Sequence, residues 1–190
     1  MVLPIVNYGH PALRKKGERI TTITPEVSKL IDDMLETMYA AEGVGLAAQQ
    51  IARALQLTVI DVSEVTERPS TMEIDGQPAN LAAYMPLVLI NPEVKGFGEV
   101  VAGPEGCLSF PEIYEDITRP ESVEVTAWDR EGRTIQFKAG GLLARAIQHE
   151  TDHLNGILFI DRMASKAKQS LKVELEALQS ETKAGLAKSG

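Results

Sequence analysis

The stretch Leu142-Leu-Ala-Arg-Ala-Ile-Gln-His149-Glu-Thr-Asp-His153-Leu154 decides how the rest of the chain must be arranged. Residues three and four positions apart share a face of an α-helix, and this stretch falls into lines at that spacing. Two neighbouring lines are apolar except for histidines and one glutamate: Leu142, Ala146, His149 and His153, and Leu143, Ile147, Glu150 and Leu154. The third line is polar and consists of Arg145, Gln148 and Asp152. The pattern predicts a helix over residues 142–154 that is buried over most of its circumference.

The same helix carries an HExxH motif. His149 and His153 are four residues apart, so both imidazoles can reach a single cation from one face of the helix. Glu150 interrupts an apolar line, and a buried carboxylate needs a partner, which a metal ion with its bound water would supply. These features favour a metal site over two unrelated histidines on a surface or in a core.

Several candidates compete for the third ligand of such a site. A third histidine is ruled out, because Phe159 stands where the motif HExxHxxGxxH requires it. Glu174 or Glu176 would make a zinc endopeptidase, but both fall on the charged face of a predicted tail helix, where a solvated side chain is the simpler interpretation. Cys107 would supply a thiolate and leave a fourth position open for water, as catalytic sites require. A closed, non-catalytic Cys-His-His site with a fourth protein ligand is a further alternative.

The length and composition limit the classes of protein to which this chain can belong. The chain has 190 residues, is 44% hydrophobic and carries a formal net charge of −8, which is typical of one globular domain and argues against non-specific nucleic-acid binding. A single cysteine excludes an intramolecular disulfide and favours a reducing compartment. The sequence has no apolar run near the roughly 20 residues of a membrane-spanning helix, and its start lacks the pattern of a signal peptide. We expect a cytoplasmic, monomeric protein without membrane attachment.

The rest of the chain predicts an α+β fold, in which mostly antiparallel strands pack around the buried helix and further helices lie towards both ends. The first helix opens at Thr24, a good N-cap that Pro25 follows, and ends at Gly43. Residues 63–86 are polar and rich in turn signals, which predicts a long surface loop.

Strands are predicted where short apolar or alternating runs are bounded by turn residues. A short buried strand ends at Asn91-Pro92, because proline cannot donate to a ladder. Two later runs alternate around the turn at residues 129–132 and predict a hairpin. The predicted strands are residues 57–62, 87–90, 93–102, 122–128 and 133–138.

Three blocks of the sequence stand in the order and spacing of the peptide deformylase family, which this chain resembles over about residues 1–165. The blocks are Gly43-Val-Gly-Leu-Ala-Ala-Gln-Gln50, Glu105-Gly-Cys-Leu-Ser109 and Gln148-His-Glu-Thr-Asp-His153-Leu-Asn-Gly156. Two departures are Gln49, where many members carry proline, and the long segment at residues 63–86, which leaves the subclass open. The family is bacterial or organellar and removes the formyl group from the N-terminal formyl-methionine of new polypeptides.

The resemblance implies one divalent metal ion per chain, held by Cys107, His149 and His153. Fe(II) is the implied native ion, and zinc, nickel or cobalt are implied alternatives in preparations. The metal lowers the pKa of its bound water and so supplies hydroxide for the attack on the formamide. Glu150 is the implied general base, which takes the water proton and then delivers it to the leaving amine.

The remaining implied residues stabilise the oxyanion or bind the substrate. The amide of Gln50 and the backbone N–H of Leu108 are the implied oxyanion donors beside the metal. The glycines of the first block allow an extended peptide to pair strand-wise with the backbone, and an apolar pocket receives the methionine side chain. The implied substrate-binding residues are Gly43, Val44, Gly45, Leu142, Ala146 and the aliphatic part of Arg145.

The end of the chain differs from the rest. Leu171, Leu175 and Leu178 are set among lysines and glutamates, which predicts an amphipathic helix. We therefore predict a deformylase-like catalytic domain at residues 1–165 and a helical tail at residues 166–190. The implied partner is the nascent formylated polypeptide. A net-positive helix on an acidic body is also a candidate for ribosome contact, and the alternative is that it packs on its own domain.

Overall fold

The computed structural model describes residues 1–189 and confirms the predicted α+β class. The described chain contains five α-helices: α1 (Pro25–Ala40), α2 (Leu81–Tyr84), α3 (Gly141–Leu154), α4 (Ser165–Ser170) and α5 (Lys172–Ser189). It also contains seven strands: β1 (Gly45–Ala47), β2 (Leu57–Ile60), β3 (Ser70–Ile74), β4 (Gln77–Pro78), β5 (Leu87–Cys107), β6 (Phe110–Trp128) and β7 (Thr134–Gly140). The strands form one sheet in the order β1-β2-β5-β6-β7-β3-β4, and every pair is antiparallel.

Helix α1 begins as predicted but ends earlier. The Thr24 side chain accepts a hydrogen bond from the Val27 N–H at 3.2 Å, which satisfies a backbone donor of the first turn. The helix ends at Ala40 instead of Gly43, because Glu42 adopts a left-handed conformation with φ of 57°. Gly43 therefore lies outside the helix, in the segment that leads into β1.

The prediction of a surface loop at residues 63–86 is wrong. The segment contains β3, β4 and α2, and β3 pairs with β7, so that Met72 is buried. Asp75 and Gly76 both have positive φ, as a type I′ hairpin turn requires. The apolar alternation in β3 is limited to Met72 and Ile74, and its partner β7 lies about sixty residues further along the chain, so local patterning did not reveal it.

The predicted end of a strand at Asn91-Pro92 is also wrong, since β5 continues from Leu87 to Cys107. Asn91 has a φ of 52°, and the register of β5 against β6 shifts between Ile90 and Glu93. The Asn91 side chain accepts from the Ile20 N–H and donates to the Ile20 carbonyl, at 2.9 and 2.8 Å. The pair thus forms a bulge that bends the strand without ending it.

The predicted hairpin at residues 122–138 is confirmed, with Ser122 opposite Gly140 and Trp128 opposite Thr134. Strand β6 begins much earlier than predicted, at Phe110, directly after the turn that follows Cys107. The long β5–β6 pair therefore holds Cys107 at a sheet end, close to the helix that packs against the sheet.

Helix α3 lies where the sequence predicted, and it contacts β1, β2, β3 and β6. Its apolar lines pack into the largest core cluster, where Leu143 and Ile147 are fully buried. The helix starts at Gly141, which has a φ of 66°. A Cβ atom added at this position would lie 2.2 Å from the Pro69 carbonyl oxygen, so only glycine fits there. These contacts fix the direction in which the helix presents its histidines.

The C-terminal segment forms two helices, α4 and α5, joined at Leu171. Leu175 is buried in a cluster with Phe110 and Phe159, and Leu171 and Leu178 pack partly against the same cluster. The leucine line thus packs on the chain's own domain, which is the second of the two expectations for this segment. The boundary at residues 165 and 166 stays a prediction. None of the helices at residues 1–189 is both long and apolar enough to cross a membrane.

Candidate metal centre

Cys107, His149 and His153 form one cluster. Their ligand atoms all lie within 4.8 Å of one another, and Cys107 Sγ is 3.3 Å from His153 Nε2. The cysteine comes from the end of β5, and the two imidazoles come from successive turns of α3. The structure therefore brings together the three ligands that the sequence suggested.

The donor set suits a divalent transition metal. One thiolate and two imidazoles are typical ligands of zinc, iron or nickel. Ligand atoms of a tetrahedral ion at usual bond lengths stand about 3.5 Å apart, and the distance of 3.3 Å from Cys107 Sγ to His153 Nε2 is close to that value. Among the described residues, the buried Glu150 Oε2 has no hydrogen-bond partner, and such an oxygen needs a water or another polar group beside it. The cluster can hold a metal ion on these grounds.

Glu150 is the acid–base candidate of the site. It follows His149 on α3, is 5% exposed, and lines the cleft described below. Burial raises its pKa to about 7, since the ionised carboxylate loses hydration there. A carboxyl group with such a pKa can both accept and release a proton near neutral pH.

Glu105 orients the first histidine and was given no role from the sequence. Its Oε1 lies 2.8 Å from His149 Nδ1, while Arg119 and Arg145 donate to the same carboxylate at 2.6 and 2.8 Å. Burial opposes ionisation of Glu105, but the hydrogen bonds from His149 and Arg119 outweigh it and lower its pKa to about 2. An ionised Glu105 makes His149 carry its proton on Nδ1, which leaves Nε2 to bind a metal.

Two residues of the polar line of α3, Arg145 and Asp152, belong to this ion-pair network, and the third, Gln148, donates to the Pro120 carbonyl at 3.0 Å. Arg145 is 7% exposed, and besides Glu105 it donates to the carbonyls of Ile117 and Val101 at 2.7 and 3.1 Å. Asp152 accepts from Arg119 at 2.9 Å and is also paired with an arginine that follows α3. The helix is consequently held by charge pairing along its polar line.

Gln50 lies beside the cluster on the short turn after β1. Its Nε2 is 3.2 Å from Ser109 Oγ and 3.6 Å from Cys107 Sγ, and its Oε1 accepts from the Ala47 N–H at 2.9 Å. The amide is 1% exposed, so these contacts fix its N–H donors towards the cluster. The neighbouring Gln49, where many family members carry proline, is also buried and donates to the Leu154 carbonyl at the end of α3 at 3.3 Å.

A cleft of about 400 Å³ opens onto the cluster. One wall is the backbone that leads into β1, the other is the end of β5 with the turn after it, and α3 forms the floor. The cleft is lined by every residue that the sequence analysis assigned to substrate binding: Gly43, Val44, Gly45, Leu142, Arg145 and Ala146. Leu108 also lines it. Arg68 and Tyr114 line it as well and were not predicted; Arg68 belongs to the segment mistaken for a surface loop.

The Glu105→Gln variant is expected to bind a divalent ion about 10 to 100 times more weakly, because the amide no longer fixes His149 with Nδ1 protonated. Competition for Ni(II) or Zn(II) against a chromogenic chelator measures this change. Asp116→Asn removes an exposed carboxylate from the same hairpin and should keep the affinity of the unmodified protein. Equal affinity in the folded Glu105→Gln variant would show that the carboxylate does not orient the ligand.

Comparisons with known proteins agree with this geometry. The family model described as polypeptide deformylase matches residues 2–169. Peptide deformylases of Methylacidiphilum infernorum and Opitutus terrae are 47% and 45% identical to the chain, over 94% and 97% of it and 94% and 96% of their own lengths. The crystal structure of Arabidopsis thaliana peptide deformylase 1B with an inhibitor has a TM-score of 0.81 at 37% identity, covering 94% of this chain and 91% of that one. A peptide deformylase from Synechococcus elongatus in complex with actinonin has a TM-score of 0.75 at 39% identity, covering 95% and 85% of the two chains. The chain belongs to the polypeptide deformylase family, as its three sequence blocks predicted.

Proposed function

We propose that this protein hydrolyses the formamide bond of N-terminal formyl-methionine in new polypeptides, releasing formate and a free amine. The observation that carries the proposal is the buried carboxyl group of Glu150 at the floor of a cleft that reaches a Cys-His-His cluster. Family membership supports the same reaction.

The substrate would lie along the cleft as an extended strand. The backbone of Gly43 and Gly45 can pair with it, since neither residue has a side chain in the way. Leu142 and Ala146 offer the methionine side chain an apolar floor. Arg145 would contribute only its aliphatic part, because its guanidinium is bound to Glu105 and to backbone carbonyls. This arrangement would place the formyl group over the cluster.

Cys107, His149 and His153 would hold the metal ion, for which we propose Fe(II). When bound, such an ion lowers the pKa of a coordinated water and polarises the formyl oxygen. Glu150 then takes the water proton and passes it to the amine nitrogen as the C–N bond breaks. The Gln50 amide and the Leu108 N–H donate to the formyl oxygen as it gains negative charge.

Two alternatives are less well supported by the geometry. An endopeptidase would need Glu174 or Glu176 as a ligand, but both side chains are exposed on α5 and neither belongs to the ligand cluster. A closed, non-catalytic site would not need a substrate-sized cleft that ends at the ligands.

The reaction is tested with formyl-Met-Ala, acetyl-Met-Ala and a longer peptide blocked at its N-terminus. We expect one formate and one new amine for each formyl-Met-Ala consumed, with the Met–Ala bond intact. Turnover of the acetyl compound should be far slower, because its methyl group makes the carbonyl carbon less electrophilic and bulkier than that of a formyl group. Cleavage of internal peptide bonds without formate release would favour the endopeptidase and overturn the proposal.

The Gly45→Ala variant is expected to lose at least about tenfold in kcat while it keeps its metal. The added methyl carbon would lie 2.7 Å from Glu150 Oε1 and 3.0 Å from Glu150 Cδ, so the carboxyl group must move. Gly43→Ala is the comparison, since its methyl carbon meets only the flexible Leu108 side chain, at 2.6 Å. A smaller loss, mainly in KM, is expected there. An unchanged kcat in Gly45→Ala would contradict the placement of Glu150.

The finer expectations about partners and location stay predictions. The proposed partner is the nascent formylated polypeptide, and we retain the cytoplasm as the proposed location and a monomer as the proposed state. A ribosome contact would have to use the charged outer face of α5, because the leucine line of that helix packs on the domain.

A further inference from the structure

A second groove begins where the cleft ends. It has a volume of about 700 Å³ and runs between the N-terminal segment and α5. Pro111, which follows the turn after Cys107, lines both the cleft and this groove, so the two adjoin at this residue. Its other walls include Val6, Leu178 and Leu186. The proposed deformylation uses none of these three side chains.

The proposed substrate position gives a direction in which the polypeptide would leave the cleft. The formyl group would reach the ligand cluster, and the methionine side chain would lie on the floor of the cleft at Leu142 and Ala146. The chain that follows the methionine would then pass the wall where Pro111 and Tyr114 are exposed. Glu112, between them, has a φ of 62°, which bends this edge of β6 away from a regular strand.

We propose that this second groove binds the downstream part of the nascent polypeptide, at about the fifth to eighth residues. The inference rests on the proposed deformylation and extends its substrate site. An extended peptide of eight residues spans about 26 Å, enough to continue well beyond a cleft that accommodates the first few residues. The groove adjoins the cleft wall at Pro111, whereas another groove, lined by Val101 and Ala102, adjoins the cleft at Leu142 and Arg145, where the methionine side chain is placed.

The lining of the groove suits a peptide that carries apolar side chains, since it combines apolar residues with polar ones that can bond to a peptide backbone. The polar residues are Asn7, His10, Glu181, Thr182 and Ser189. Its hydrophobic side chains come from both walls, and Leu186 is 37% exposed, which leaves area for a ligand side chain to cover. Within the described part of the chain, the lining contains no lysine or arginine, and Glu181 is its acidic residue. An RNA strand would find no phosphate-binding cation there, so the chemistry favours a polypeptide that carries apolar residues.

The test compares three substrates: formyl-Met-Ala and two formylated octapeptides that share their first four residues. One octapeptide has leucine and the other serine at positions five to eight. We expect kcat/KM for the leucine octapeptide to exceed that for the serine octapeptide about tenfold. This is the gain in binding expected when one leucine side chain is buried in the groove. Leu186→Glu should bring this ratio close to one without changing the turnover of formyl-Met-Ala, and Leu186→Ser should give an intermediate ratio.

Two control variants test whether the change in the octapeptide ratio is specific to the groove. Val173→Glu makes the same kind of change on α5 outside the groove, where Val173 is 76% exposed, and should keep the tenfold ratio. Val101→Glu lies beside the opposite end of the cleft and should also keep it.

The proposal is overturned if the two octapeptides are equally good substrates of the unmodified enzyme. It is equally overturned if Leu186→Glu and Leu186→Ser keep the ratio, or if Val101→Glu abolishes it. Failure of the metal-loaded enzyme on formyl-Met-Ala itself would instead overturn the proposed deformylation, and this inference with it. Turnover of formyl-Met-Ala by each variant shows that it is folded.

Discussion

The Glu150→Gln variant is expected to lose about a thousandfold or more of its formate release while it keeps a full complement of metal. Glutamine has the size and shape of the buried carboxylate, so the packing against Gly45 is preserved. An amide cannot take a proton from water, and general acid–base catalysis contributes about 10² to 10⁴ in rate. The variant also removes a group whose pKa of about 7 suits both proton transfers.

The measurement is kcat on formyl-Met-Ala together with metal content by atomic absorption. Glu124→Gln makes the same chemical change at an exposed position on β6 and should keep full activity. A Glu150→Gln enzyme that stays active with its metal in place would remove Glu150 from the mechanism. Loss of metal together with activity would show that Glu150 supports metal binding and does not act in proton transfer.

The Cys107→Ala variant is expected to bind the metal ion more than about a hundredfold more weakly and to lose activity in the same proportion. The thiolate supplies the only negative charge among the three ligands, and its loss leaves two neutral imidazoles. Loss of a direct ligand should exceed the tenfold to hundredfold loss typical of a residue that only orients a ligand. Chelator competition under anaerobic conditions gives the affinity, and formate release on the same samples gives the activity.

The matched control is the double variant Glu174→Gln and Glu176→Gln, which removes both carboxylates that an endopeptidase arrangement would use. Both side chains are exposed on α5, so metal content and activity should remain those of the unmodified enzyme. The reverse pattern, in which the double variant is empty and Cys107→Ala retains its metal, would establish a different ligand set from the one proposed here.

The sequence predicted those parts of the fold whose pattern is local. Helix α3 was found within one residue because apolar positions recur along its length, and the β6–β7 hairpin because its turn and alternation are adjacent in the chain. Strand β3 was missed because its pairing partner β7 is remote and its apolar residues are few. The continuation of β5 was missed because an asparagine–proline pair usually ends a strand, whereas the Asn91 side chain here replaces backbone partners by bonding to Ile20.

In the candidate site, too, some residues were predictable from local sequence patterns and others depend on contacts between distant parts of the chain. The HExxH spacing paired His149 with His153, and the resemblance to the deformylase family added Cys107; the structure has all three within one cluster. Glu105 could have been found, since residues two apart on a strand share a face and metal-bound histidines usually pair with a carboxylate. Arg119 could not, because its approach to Glu105 depends on the long β5–β6 register and its shifts.

In the proposed reaction, deformylation depends on a metal ion held by one cysteine and two histidines. This dependence is tested by anaerobic loading of the metal-free protein with increasing Fe(II) or Ni(II), followed by the formate-release assay on formyl-Met-Ala. We predict that activity rises in proportion to bound metal and stops at one ion per chain, with one formate released for each amine. A fully loaded protein that releases no formate, or a metal-free protein that is equally active, would contradict it.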